Sequence, residues 1–264
     1  MVELTGVIGQ AVRVPAYSRI FDAVRQNRRF RALVLDVDSP GGGAAASEAL
    51  YQQLQRVAEV KPVVSYVRGT GASGAYLMSC AAQRIVALPS SLVGSIGVIY
   101  LRPVLEQLLE RLGIVFTVHK GGHLKDMGGF WRSDTPEEDE KFRALIDEVH
   151  QSFVEVVARG RSMDGEQVRA LATGEAFTGR TAKEAGLVDE LGDFNVALEM
   201  AAELGNTRPR PTFIRPRRPF LARLTGAQAQ APSQMLLSDV QRLLTGGLYY
   251  LPAHHVLGGW NSEE

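Results

Sequence analysis

Two glycine-rich turns hold the residues with the clearest chemical potential: Asp38-Ser39-Pro40-Gly41-Gly42-Gly43 and Gly71-Ala72-Ser73-Gly74-Ala75. Each follows a short apolar run and opens a helical pattern. Both therefore lie at the carboxyl edge of a parallel sheet, where open α/β folds place their active sites. A serine at the start of a helix stands among unpaired backbone N–H groups, and the helix dipole favours negative charge there. Small neighbours leave the Ser73 hydroxyl open to an acyl carbonyl, and a following glycine lets substrate approach the backbone closely. The Gly74 N–H can then bind an oxyanion, with the Gly42 N–H of the first turn as second donor; losing one such donor costs about 3 kcal/mol of transition-state stabilisation. One such turn alone reads more plainly as a capped helix. Two side by side narrow the choice between a capped helix and nucleophilic acyl transfer without closing it.

A serine nucleophile needs a base. The histidines, His119, His123, His150, His254 and His255, lie in no recognisable triad setting. Arginine stays protonated in proteins and cannot serve. A lysine can, because in apolar surroundings its charged form loses solvation and the neutral amine accepts a proton near neutral pH. The lysines are Lys61, Lys120, Lys125, Lys141 and Lys183. Lys61 precedes a strand at the edge opposite the turns, Lys141 lies in a charged helical pattern, and Lys183 falls in the helical second half. Lys120 and Lys125 remain, both beside Gly121-Gly122, and physics alone does not choose between them.

The elements that must position these residues alternate. Val7-Ile8-Gly9 reads as a first strand, and Tyr17 to Asn27 as a helix with Ile20, Phe21 and Val24 on one face. Ala32 to Val37 is a buried parallel strand ending at the first turn, a helix follows over 44–60, and Val63 to Val67 leads to the second turn. Ile85 to Leu88 and Ile114 to Val118 read as further strands, with a helix from Pro103 to Leu112 between them. Asp134-Thr135-Pro136-Glu137-Glu138 is a strong helix start, and that helix should run to about Arg159. Shorter helices follow through Leu204. The fold class is α/β with a helical C-terminal half.

Basic and acidic residues balance at 29 each, so nothing in the net charge points to nucleic acid. Cys80 is the only cysteine, which rules out an intrachain disulfide and a cysteine-based zinc cluster; it should be a small buried core residue. His119 and His123 are four apart, but the intervening glycines argue against a helix that would aim both at a metal. No cofactor and no metal are expected. No apolar run reaches about 18 residues, and the N-terminus lacks a basic start and apolar stretch. The expectation is a cytoplasmic protein, or one touching a membrane only from its surface.

In order, Asp38-Ser39-Pro40-Gly41-Gly42-Gly43, Ala72-Ser73-Gly74-Ala75-Tyr76, Gly94-Ser95-Ile96-Gly97-Val98, Lys125-Asp126, Gly174-Glu175-Ala176-Phe177-Thr178-Gly179 and Gly186-Leu187-Val188-Asp189-Glu190-Leu191-Gly192 resemble the signal peptide peptidase A family. The resemblance spans about residues 1–205. It implies the Clp protease/crotonase-like spiral of ββα units and a Ser/Lys-dyad peptidase. By motif, Ser73 is then the nucleophile, Lys125 the base, Ser95 a serine hydrogen-bonded to that lysine, and Gly42 and Gly74 the oxyanion positions. It also implies apolar, signal-peptide-like substrates and a homo-oligomer, expected as an octamer, in which serine and lysine come from neighbouring subunits. Leu77, Val93 and Ile96 are candidates to line a substrate pocket, although core packing is the plainer role at their spacing. Family members usually carry an N-terminal transmembrane anchor, whereas this chain starts at its first strand.

Residues 206–264 lie outside the resemblance and read as a Pro/Arg-rich linker with a short helical extension over Met235 to Leu244 and an apolar tail over Tyr249 to Leu257. Arg208, Arg210, Arg215, Arg217, Arg218 and Arg223 have no acid between them; a solvated linker is the plainer reading and contact with anionic lipid the alternative. Three rival functions remain open. A crotonase-like acyl-CoA enzyme shares the oxyanion turns but works with carboxylates, and position 73 carries none. A stomatin-partner-type peptidase would differ in substrate, not chemistry. A non-catalytic scaffold has no need of both Ser73 and Lys125.

Overall fold

In the computed structural model, residues 1–216 and 247–250 are described. The strands are β1 (Val2–Thr5), β2 (Leu33–Ser39), β3 (Gly42–Gly43), β4 (Val63–Ala72), β5 (Arg84–Ala87), β6 (Leu92–Gly94), β7 (Ile99–Leu101), β8 (Ala176–Thr178), β9 (Glu190–Leu191) and β10 (Gly247–Tyr250). The helices are α1 (Val14–Gln26), α2 (Ala44–Ala58), α3 (Gly74–Ser79), α4 (Glu106–Arg111), α5 (Pro136–Arg161), α6 (Gly165–Leu171), α7 (Gly179–Glu184) and α8 (Phe194–Leu204). They divide into two units, the first holding residues 1–99, 150–216 and 249–250, the second residues 100–149 and 247–248.

The first unit is built on a seven-stranded sheet, ordered β1-β2-β4-β5-β9, with β6 beside β4 and β8 beside β6. Every pairing is parallel except β6 with β8. This is the expected α/β class. Alternation along β2 and β4 sends Val34, Val64 and Tyr66 to a face where Ala197 and Ala201 of α8 cover them. Leu33, Leu35 and Val37, of opposite parity, are also buried, as a strand covered on both faces requires. Helix α1 carries proline in its first turn and buries Tyr17, Ile20, Phe21 and Val24, the stripe its spacing predicts.

Several local expectations need correction. The first strand is Val2–Thr5, not Val7-Ile8-Gly9. Pairing with β2 buries Val2 and Leu4 completely, while Gly6 and Gly9 take positive φ values of 87° and 93° that break extension. Ile114 to Val118 is not a strand. Val115 is 87 % exposed there, and no strand lies beside the segment among the described residues. β-branched composition describes a half-buried pleated surface, and without an edge to join it does not make a strand. Helix α4 covers only Glu106–Arg111, so Pro103 and its neighbours stay outside it. The helix expected over Met235 to Leu244 lies outside the described residues.

Candidate active site

The two glycine-rich turns meet because of an irregularity in β4. Leu33 to Val37 pair in register with Val63 to Val67, but Ser39 pairs with Gly71, so β4 carries two extra residues over that span. The Asp38 carboxylate takes up the slack. It accepts the Thr70 N–H at 3.0 Å, meets Arg68 at 3.4 Å, and lies against Gly69, where any Cβ would clash with it. In the first turn the Gly41 N–H donates to Ser39 Oγ at 3.2 Å, and Gly41 has φ 103°. A Cβ on Gly41 would overlap Tyr250 O and lie 2.8 Å from Gly74 N, so the two turns touch backbone to backbone.

Ser73 caps α3 with φ 53° and ψ −119°, a conformation that non-glycine residues rarely adopt. Such a residue typically stores about 1–3 kcal/mol of strain and persists only where its surroundings force it. Here the Ser73 N–H donates to Gly94 O at 2.6 Å, at the end of β6, and its carbonyl accepts the Leu77 N–H at 2.9 Å. Its hydroxyl makes no hydrogen bond among the described residues. Gly74 packs against Ser47, whose buried hydroxyl donates to Gly43 O at 2.9 Å. The first turn thus lies against the backbone on either side of the serine, at Ala72 and Gly74. Ser95 also has a positive φ, 50°, and its Oγ donates to Gly174 O at 3.0 Å.

An unforeseen element reaches this site. Tyr249 and Tyr250 of β10 pair antiparallel with Gly43 and Gly42. Tyr250 is buried, its Cβ lies close to Gly74, and its ring packs 4.8 Å from Phe153. Burial, then Glu48, pushes its hydroxyl up to about 12. An apolar tail is visible in the sequence; a two-residue pairing of Tyr249 and Tyr250 with Gly43 and Gly42, far apart in the chain, carries no local signal. Leu77, Val93 and Ile96 are buried core. Cys80 is buried too, and desolvation raises its thiol to about 12, which keeps it inert.

The lysines divide clearly. Lys61 donates to the carbonyls of Val24 and Asn27, Lys183 pairs with Glu190 at 2.7 Å, and Lys141 lies on α5. Lys120 is held by Asp126 at 2.5 Å. Lys125 is exposed and has no ion pair among the described residues. It belongs to the second unit, Ser73 to the first. Beside it a charged lattice fixes the chain: Arg132 reaches Asp126 at 3.2 Å and forks onto the buried Glu138 at 2.5 and 2.7 Å. Thr135 and Glu138 form a reciprocal cap at the start of α5. His123 meets Glu137 at 3.1 Å. The His150 Nε2 is buried without a partner.

The lattice makes the second unit acid-sensitive. Hydrogen bonds from Lys120 and then Arg132 lower Asp126 to about 2, and Arg132 foremost lowers Glu138 to about 2. Folded-state values below the unfolded ones give stability that is present above about pH 4.5 and lost as pH falls towards 2. In a Trp260→Phe background, Trp131 fluorescence should report a transition in that window, and Arg132→Gln should move it to higher pH. An unmoved transition would mean that the lattice does not hold this segment.

The sequence model of peptidase family S49 matches residues 55–208. A Synechocystis protein named as a candidate protease is 37 % identical over 232 residues, covering 87 % of this chain and 83 % of that protein. The chloroplastic serine protease SPPA of Arabidopsis thaliana is 35 % identical over 70 % of this chain, which spans 27 % of that protein. Protease 4 of Salmonella typhi is 38 % identical over 72 % of this chain, which spans 31 % of it.

Proposed function

Because the chain belongs to peptidase family S49, we propose that it is a Ser/Lys-dyad endopeptidase that cleaves apolar, signal-peptide-like segments, with Ser73 as nucleophile and Lys125 as base. The strained backbone of Ser73, held by Gly94 between two glycine turns, is the observation that carries this reading. The neutral Lys125 amine takes the proton as Ser73 Oγ attacks the scissile carbonyl. The N–H groups of Gly42 and Gly74 receive the oxyanion. As the C–N bond breaks the lysine returns the proton to the leaving amine, and water then frees the acyl group by the same route. Ser95 orients the lysine. Lys120 is already committed to Asp126, which favours its neighbour.

The substrate class draws support from β10. The β3 edge accepts an extended segment with a buried aromatic side chain beside the oxyanion glycines, as an apolar peptide strand would require. In this reading the base comes from a neighbouring copy in a homo-oligomer, as the family resemblance implies. Among the described residues no helix is long and apolar enough to cross a membrane.

Purified protein should hydrolyse a fluorogenic apolar peptide and leave enoyl-thioesters unchanged. Thioester hydration without peptide cleavage would favour the crotonase-like alternative, and neither activity would favour a scaffold. A histidine base is the competing mechanism. Labelling of Ser73 that survives in Lys125→Ala would favour it.

A further inference from the structure

At the end of the sheet opposite Ser73 lies a cavity of about 610 Å³, bounded by the α1–β2 connection, α8 and the stretch 207–212. Its size is that of a site for a small organic molecule, about 300–1,000 Å³. Arg29, Arg31, Arg208 and Arg210 line it, and no acidic residue does, in a chain whose acids and bases balance at 29 each. None of the four guanidinium groups has an ion pair among the described residues. Apolar side chains share the wall with them, among them Phe30, Val34, Leu198 and Ala201.

The arginines are held on fixed backbone. The Thr207 N–H donates to Ala202 O at 2.9 Å, the Ile214 N–H donates to Met1 O at 2.9 Å, and Ile214 bridges to Val2. Pro209 and Pro211 restrict the chain between those anchors. On the facing side the Arg29 N–H donates to Asn27 Oδ1 at 3.0 Å. Four cationic side chains on the lining of one cavity, with no acid among its residues, make it electropositive, and an anion relieves that excess charge. Guanidinium forks match phosphate oxygens in pairs.

We infer that this cavity is a binding site for a phosphate-bearing ligand with an apolar body. The four arginines grip the phosphate, and the apolar wall receives the remainder of the molecule. The shared chemistry has two sources, a lipid headgroup or a free phosphorylated compound. The site is distinct from the catalytic one, since Val34 on its wall and Ser39 in the first glycine turn stand five residues apart along β2, about 17 Å at 3.3 Å per residue.

Titration calorimetry of the full chain tests this with three soluble probes: dihexanoylphosphatidic acid, dihexanoylphosphatidylcholine and tripolyphosphate. Phosphatidic acid should bind at least about tenfold more tightly than phosphatidylcholine, and Arg31→Gln with Arg210→Gln should weaken it at least about tenfold. Arg29→Gln with Arg208→Gln should do the same, which guards against one pair disturbing the fold. Neither pair should change peptide hydrolysis. Phosphatidic acid binding more tightly than tripolyphosphate identifies a lipid source, and the reverse order a free phosphorylated compound; both support the site. Absence of binding by both anions, equal binding of phosphatidylcholine, or variants that bind as tightly as the parent would overturn it.

Discussion

Ser73→Ala is expected to abolish peptide turnover, by about ten-thousandfold or more, with no change in the melting midpoint. The hydroxyl makes no hydrogen bond among the described residues, so its loss breaks no structural contact. Alanine keeps the Cβ and with it the strain at φ 53°. Ser73→Gly separates the two roles. It should be equally inactive yet more stable by about 1 kcal/mol, because glycine occupies positive φ without penalty. Turnover of an apolar peptide by either purified variant, with thermal unfolding alongside, provides the check. Residual activity within tenfold of the parent would mean that the serine only caps its helix.

Replacing Lys125 by alanine should lower turnover by about 10²- to 10⁴-fold, the range of a positioned general base. Lys125→Arg is the sharper variant. It retains a positive charge on a long side chain but cannot release a proton, so a base predicts a dead enzyme and a purely electrostatic role predicts partial activity. In the parent, activity should rise with pH above neutrality, because only the neutral amine accepts the serine proton. Lys120→Ala should instead act through Asp126, whose ion pair it removes, and cost far less activity than Lys125→Ala. Equal losses in the two variants would place the effect in the local structure and not in the dyad.

How much of this was legible beforehand follows from where the information lies. The buried strand at Ala32 to Val37 and the stripe of α1 were readable because period and burial are local properties. The start of α5 was readable from Thr135, Pro136 and Glu138 because a cap is complete within four residues. The turns around Ser73 could be placed but not their strain. Nothing in Ala72-Ser73-Gly74 states that two extra residues in β4 and a carbonyl at Gly94 will hold the serine at positive φ. Val7-Ile8-Gly9 misled because its apolar pair precedes a glycine turn, while the true strand gains its pairing from β2. Ile114 to Val118 misled because strand composition cannot supply a neighbouring edge. The pairing of Tyr250 with Gly42, and the lattice linking Asp126, Arg132 and Glu138, are tertiary facts with no periodic trace. Composition does not separate Lys125 from Lys120, because the ion pair of Lys120 with Asp126 is likewise a tertiary fact.

The most direct measurement is the site and rate of covalent labelling by a fluorophosphonate, read by peptide mass spectrometry in the parent and in Lys125→Ala. A single adduct at Ser73, forming faster as pH rises and slowed at least a hundredfold without the lysine, is what the dyad predicts. An adduct on another serine, or labelling of Ser73 at an undiminished rate in Lys125→Ala, would contradict it.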